Sequence, residues 1–295
     1  MISMRSHGAA AWRSAATRRS GTLQPPVVRR QPQRGWAAPD LGELWRYREL
    51  LVFQALRDIK VRYKQTVLGA GWAILQPALM MVVFSMVFGR LAGIRSGDVP
   101  YPVFVLCALL PWQLFAYALT HSSNSLVDHA QTLTKVYFPR LILPLASVVT
   151  GLIDFGIAAL LLVGLMLYYQ IVPGWAVVTL PLFTLLAVAT ALAAGLWLSA
   201  LNVKYRDVRH TIPFIAQVWL FVTPVAYPSS LVPDRWQALY GINPMAGVVD
   251  GFRWALLGAA PLRLMLLVSV AATVVLLIGG LFYFRRVERS LADIA

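Results

Sequence analysis

Arg57-Asp-Ile-Lys-Val-Arg-Tyr-Lys-Gln-Thr-Val-Leu-Gly-Ala-Gly-Trp72 is the stretch that decides the fold. Its dense basic run ends at Lys64. From Val67 the chain turns apolar and stays so to Arg90, with one interruption at Gln76-Pro77. Such a border is where a charged aqueous surface meets a bilayer. Composition agrees, because 59% of the 295 residues are hydrophobic and only 13% are charged. Soluble domains carry about 25% charged residues. A crossing needs roughly 20 mostly apolar residues to cover about 30 Å of hydrocarbon, and several runs of that length follow.

Downstream of the border the hydropathy predicts six spans, at about 69–91, 102–122, 143–169, 176–201, 211–227 and 262–284. The second carries Pro111-Trp112-Gln113 at mid-depth, the third carries Asp154, and the fifth is short and ends at Pro228. Two connections are too structured to be plain loops. One is Lys135-Val-Tyr-Phe-Pro-Arg-Leu-Ile-Leu-Pro144, apolar and aromatic with two cations. The other lies between spans five and six and contains Val232-Pro-Asp-Arg-Trp236 and Asn243-Pro-Met245. It is too polar to span and too apolar for open solvent, which predicts short helices dipping into the outer leaflet.

Upstream, residues 40–68 predict an amphipathic helix opened by Asp40 as N-cap. Leu41, Leu44, Trp45, Leu51, Val52, Ala55, Leu56, Ile59 and Tyr63 share one face at the helical period, and Arg46, Arg57, Lys60 and Lys64 the other. A helix of this kind lies in the membrane interface, as a plain anchor or as a docking surface for a cytoplasmic partner. Residues 1–39 hold seven Arg, four Pro and no acid, with no signal-peptide core. They read as a flexible basic tail, although the same composition also describes a mitochondrial transit peptide.

Charge sets the orientation. Segments 1–68, 123–142, 202–210 and 285–295 hold 21 of the 26 Lys and Arg. That bias places both termini, including the tail 285–295, in the cytoplasm. The net charge of +14 is therefore topological and gives no reason to invoke nucleic acid.

The sequence is poor in reaction chemistry. It contains no P-loop, no H-E-x-x-H and no paired-Cys or paired-His zinc spacing. The lone Cys107 cannot form an intramolecular disulfide, and no metal or cofactor site is expected. His121 and His129 read as interfacial polar residues. Asp154 is the only acid within a predicted span. An embedded carboxylate must face a partner or water. Proton relays chain several ionisable groups, so a hydrogen bond to a neighbouring helix is the favoured role for Asp154. Aromatics interleave with amides in the spans: Gln76, Phe84, Phe88, Phe104, Trp112, Gln113, Phe115, Phe214, Gln217 and Phe221. Packing explains any one of them. As a set they suit a conduit for carbohydrate, whose C–H faces stack on rings and whose hydroxyls pair with amides.

Arg57-Asp-Ile-Lys-Val-Arg-Tyr-Lys-Gln-Thr-Val-Leu-Gly-x-x-Trp72-x-x-x-Gln-Pro77 resembles the N-terminal signature of ABC-2 type permeases that export polysaccharide, O-antigen or teichoic acid. Lys135–Pro144, Asn202-Val-Lys-Tyr-Arg-Asp-Val208, and Thr223-Pro-Val-Ala-Tyr-Pro228 with Asn243-Pro-Met245 fit the same family in order. The resemblance implies an all-α permease, paired as a homodimer in a bacterial inner membrane. Two copies of a separate ATP-binding subunit would carry the ATP and Mg and do the hydrolysis. It implies coupling to that subunit through Arg57, Asp58, Lys60, Arg62, Lys64, Lys135, Tyr137, Phe138 and Arg140. It implies an outer gate at Asn243, Pro244 and Met245, a channel at the dimer interface, and a polyprenyl-linked glycan as cargo. Export of drugs or small lipids is the alternative within the fold. A membrane-embedded glycosyl- or acyltransferase is the alternative outside it, although its acids would have to cluster and here they are dispersed.

Overall fold

A computed structural model describes residues 41–64, 69–133, 138–259 and 263–292. The tail 1–39, the Asp40 cap, Lys135 and Tyr137 lie outside the described residues. Those that are described are helical, with no strand among them.

The interfacial region is two helices, α1 (Leu41–Arg46) and α2 (Arg48–Lys64). Backbone bonds from Tyr47 to Glu43 and from Leu51 to Tyr47 carry the chain across the break. The single apolar face predicted here divides in two. Leu44, Tyr47, Leu50 and Leu51 pack on a cluster formed by Leu126, Phe138, Leu141, Ile142 and Phe284. Trp45, Val52, Phe53 and Leu56 stand exposed, on a face fit for lipid.

Next comes α3 (Trp72–Phe84), which continues as a π-helix over Ser85–Leu91. The central element is α4 (Tyr101–Asp128), buried almost continuously from Val103 to Phe115. It is apolar on all sides because it packs on all sides, as a core helix must. Its main neighbours are α5 (Ile142–Tyr168) and α6 (Leu180–Lys204). The last helix, α10 (Arg263–Ala292), lies along α6. It runs on as helix through Ala292, so most of the expected C-terminal tail continues the last span.

Small and polar side chains join these helices, as expected where lipid removes the hydrophobic drive for association. The Trp197 indole donates to the Leu276 carbonyl at 3.0 Å, and Thr190 meets Thr273 at 3.0 Å. Asn202 donates to the Ser123 carbonyl at 3.1 Å, tying α6 to α4. At Gly280 an added Cβ would sit 2.9 Å from the Ala193 carbonyl oxygen. Gly280→Val is expected to force α10 off α6 at a cost of about 1–3 kcal/mol, read as a lower melting temperature in detergent. An unchanged melting temperature would remove this close approach as a source of stability.

Five described helices are long and apolar enough to cross a membrane: Trp72–Leu91, Tyr101–Asp128, Ile142–Tyr168, Trp175–Lys204 and Leu264–Glu288. The predicted fifth span of six is instead the 15-residue α7 (Val208–Val222). At 1.5 Å per residue it covers roughly 22 Å, short of the hydrocarbon thickness. The chain then leaves the helix at Thr223. The outer segment holds α8 (Asp234–Gly241) and α9 (Pro244–Leu257). With Trp236 and Leu239 exposed, α8 matches the expected surface helix. By contrast, Met245, Ala246, Val248 and Val249 of α9 are fully buried, so it is a core helix inserted among α4, α6 and α10.

Candidate functional site

The last turn of α2 reaches into the helical bundle. Arg62 Nη1 donates to Asp154 Oδ2, and the Tyr63 hydroxyl donates to Asp154 Oδ1. Asp154 lies midway along α5, so one residue pair fastens the end of the interfacial helix to the middle of a span. The Arg62 guanidinium also lies over the Tyr117 ring, 4.6 Å from its centroid, and Tyr117 stacks on His121 at 3.9 Å. Three helices, α2, α4 and α5, meet here. Burial and the hydrogen bond to Asp154 push the Tyr63 phenol up to about 12. It therefore remains a donor throughout neutral pH, and its contribution is lost only as pH rises from the ordinary phenol value of 10.0 through 12.

This junction walls a cavity of about 470 Å³ between α3, α4 and α5. Trp72, Gln76, Trp112, Gln113, Tyr117 and the Arg62–Asp154 pair line it. Three of the aromatic–amide residues expected in a conduit, Gln76, Trp112 and Gln113, are thus brought together. Trp72, Tyr117 and His121 join them without having been singled out for the site. Trp72 is legible as part of the Arg57–Pro77 signature, and Tyr117 and His121 only by their i,i+4 spacing on α4.

The other expected conduit residues are elsewhere. Phe115 has no exposed surface, and its ring meets Trp219 edge-on at 4.9 Å. Phe84 and Phe104 are likewise buried in the core. These three are packing residues, because a side chain enclosed by its own protomer touches no passage. Phe88 is half-buried against Phe84, with centroids 5.3 Å apart. Phe214, Gln217 and Phe221 stand on the exposed face of α7.

The expected coupling set divides in the same way. Arg57, Lys60 and Lys64 are exposed. Asp58 accepts from the Gln54 amide at 3.2 Å. His129 links α2 to the end of α4. Its Nδ1 lies 2.9 Å from the Ser125 carbonyl, and its Nε2 lies 2.8 Å from the Gln54 amide nitrogen and 2.9 Å from Arg57 Nη2. Arg62 points inward to Asp154. Phe138 is buried with Leu141, Ile142 and Phe284, so it fills a cluster and offers no grip to a partner. Arg140 donates to the Glu288 carbonyl at 2.8 Å and is held by α10.

The end expected to form the gate is fastened by hydrogen bonds. Asn243 Oδ1 accepts from the Met245 backbone N–H at 3.1 Å and from the Trp219 indole at 2.8 Å. Its Nδ2 donates to Thr223 Oγ1 at 3.0 Å. Pro244 and Met245 are buried. The expected gate residues therefore cap α9 and tie it to the end of α7. Arg253 was not anticipated as a site residue. It is 2% exposed, donates to the Val225 carbonyl at 2.9 Å and the Tyr227 carbonyl at 3.2 Å, and lies 3.7 Å over the Phe104 ring. Beside it, Ser229 donates to Asp250.

The sequence pattern of the family described as ABC-2 type transporter matches residues 49–257. An O-antigen export system permease protein RfbA of Myxococcus xanthus is 32% identical over 253 residues, 83% of this chain and 96% of that protein. The RfbA protein of Klebsiella pneumoniae is 26% identical over 256 residues, 86% of this chain and 97% of its own length. A polysialic acid transport protein KpsM of Escherichia coli is 23% identical over 207 residues, 68% of this chain and 79% of that protein. The match begins at the second residue of α2, takes in the Arg62–Asp154 junction and the cavity, and ends with α9, so the chain belongs to the ABC-2 type transporter family of membrane proteins.

Proposed function

We propose that this chain is the permease subunit of an ATP-driven exporter of a lipid-linked cell-surface polysaccharide of the O-antigen kind. The observation that carries this reading is the likeness, over nearly their whole length, to export permeases for O-antigen. The aromatic and amide lining of the cavity supports it. On this reading two copies pair in the bacterial inner membrane with both termini in the cytoplasm. Hydrolysis of ATP with Mg occurs on two copies of a partner subunit. The exposed Arg57, Lys60 and Lys64 meet that subunit, together with Lys135 and Tyr137. Phe214, Gln217 and Phe221, with Phe88, face the passage between the two copies. Asn243, with Pro244 and Met245, holds the outer closure in place.

Deleting the gene tests this. Surface glycan is expected to disappear while lipid-linked polymer accumulates inside the cell, and a plasmid copy restores export. Loss of polymer synthesis would identify a transferase. Unchanged surface glycan would point to drugs or small lipids as cargo.

A further inference from the structure

The cavity between α3, α4 and α5 has a lining that selects one ligand chemistry. Its two charged groups, Arg62 and Asp154, neutralise each other, so a free cation or anion gains no net field there. Two amides, Gln76 and Gln113, border the space without a hydrogen-bond partner among the described residues. Gln113 is half-buried and Gln76 exposed at the cavity mouth, and a purely apolar occupant would cover both amides without pairing them, which costs free energy. An amide offers a donor and an acceptor side by side, which is the pattern that a hydroxyl reads. Asp154 uses one bond on each oxygen and keeps further acceptor capacity, while Arg62 keeps spare N–H groups. Trp72, Trp112 and Tyr117 supply ring surface. A volume of about 470 Å³ falls in the usual range for small-ligand sites.

We propose that this cavity is a sugar-binding subsite, in which a neutral pyranose ring of the cargo rests on Trp72 and Tyr117 while Gln76, Gln113 and the Arg62–Asp154 pair bind its hydroxyls. The assignment rests on the glycan-export reading and adds a place where the chain is held within one protomer. It also makes the interfacial helix part of the cargo site, because Arg62 belongs to both.

The test uses the whole permease–ATPase complex in lipid nanodiscs. The probe is radiolabelled lipid-linked glycan extracted from the deletion strain. Gln76→Leu with Gln113→Leu keeps side-chain size and removes both amides. The double variant is expected to bind the probe about tenfold more weakly or worse, the size of two lost ligand hydrogen bonds. A second arm needs no variant. Glycan freed from its lipid and diphosphate by mild acid is expected to compete with the probe for the wild-type complex. Wild-type binding by the double variant overturns the proposal. So does competition by the lipid diphosphate alone with none by the free glycan. Failure of the underlying reading looks different: the deletion strain then yields no accumulated lipid-linked glycan, and the sugar assignment falls with it.

Discussion

Asp154→Ala is expected to reduce glycan export about 30-fold while the protein still inserts in the membrane. The carboxylate accepts from both Arg62 and Tyr63, so its removal leaves a cation and a hydroxyl without their acceptor. Surface ion pairs contribute about 0–1 kcal/mol, and breaking a fully buried pair costs about 3–5 kcal/mol. The side chains here are 36% and 17% exposed, which places the loss near 2 kcal/mol, or about 30-fold in the population of the fastened state. Asp154→Asn keeps an acceptor for Tyr63 and should fall between wild type and alanine. Exchanging the charges, Arg62→Asp with Asp154→Arg, is expected to recover part of the export lost in either single variant. Export by Asp154→Ala at the wild-type rate would show that α2 needs no tie to α5.

The second large effect is on stability. Arg253→Ala is expected to destabilise the permease by about 3–5 kcal/mol, seen as loss of the folded protein on extraction in detergent. The guanidinium satisfies the carbonyls of Val225 and Tyr227, which lie where α7 has already ended and no helical N–H is at hand. Each orphaned carbonyl costs about 1–3 kcal/mol, and the vacated volume beside Phe104 adds a cavity term. Arg253→Lys is not a rescue, since one ammonium cannot reproduce the planar fork that spans two carbonyls and a ring. Wild-type melting in Arg253→Ala would mean that the outer turn is held by other contacts.

The sequence made the bulk of the fold legible because a membrane leaves few choices. Long apolar runs must be helices, and five of the predicted runs are helices long enough to cross a membrane. Less could be read of what each side chain faces. Phe104 and Phe115 read as conduit candidates, since a helix apolar on all sides shows no preferred face, and only the packing of α4 by its neighbours reveals that both are core. The need for a partner at Asp154 was visible from the lone charge. That the partner is Arg62, 92 positions away, was not, because periodicity describes one helix at a time. Arg253 carried no signal in the sequence, because the bare carbonyls that draw it inward arise only when α7 stops short.

The grip of Glu288 and Phe284 on Arg140 and Phe138 also sets an order of events during synthesis. The cluster between α4 and α5 is translated well before the α10 residues that hold it. Until α10 emerges, Arg140 has no Glu288 to bind and Phe138 lacks its Phe284 neighbour. A chain interrupted before Phe284 therefore leaves the loop ahead of α5 without the contacts that shape it.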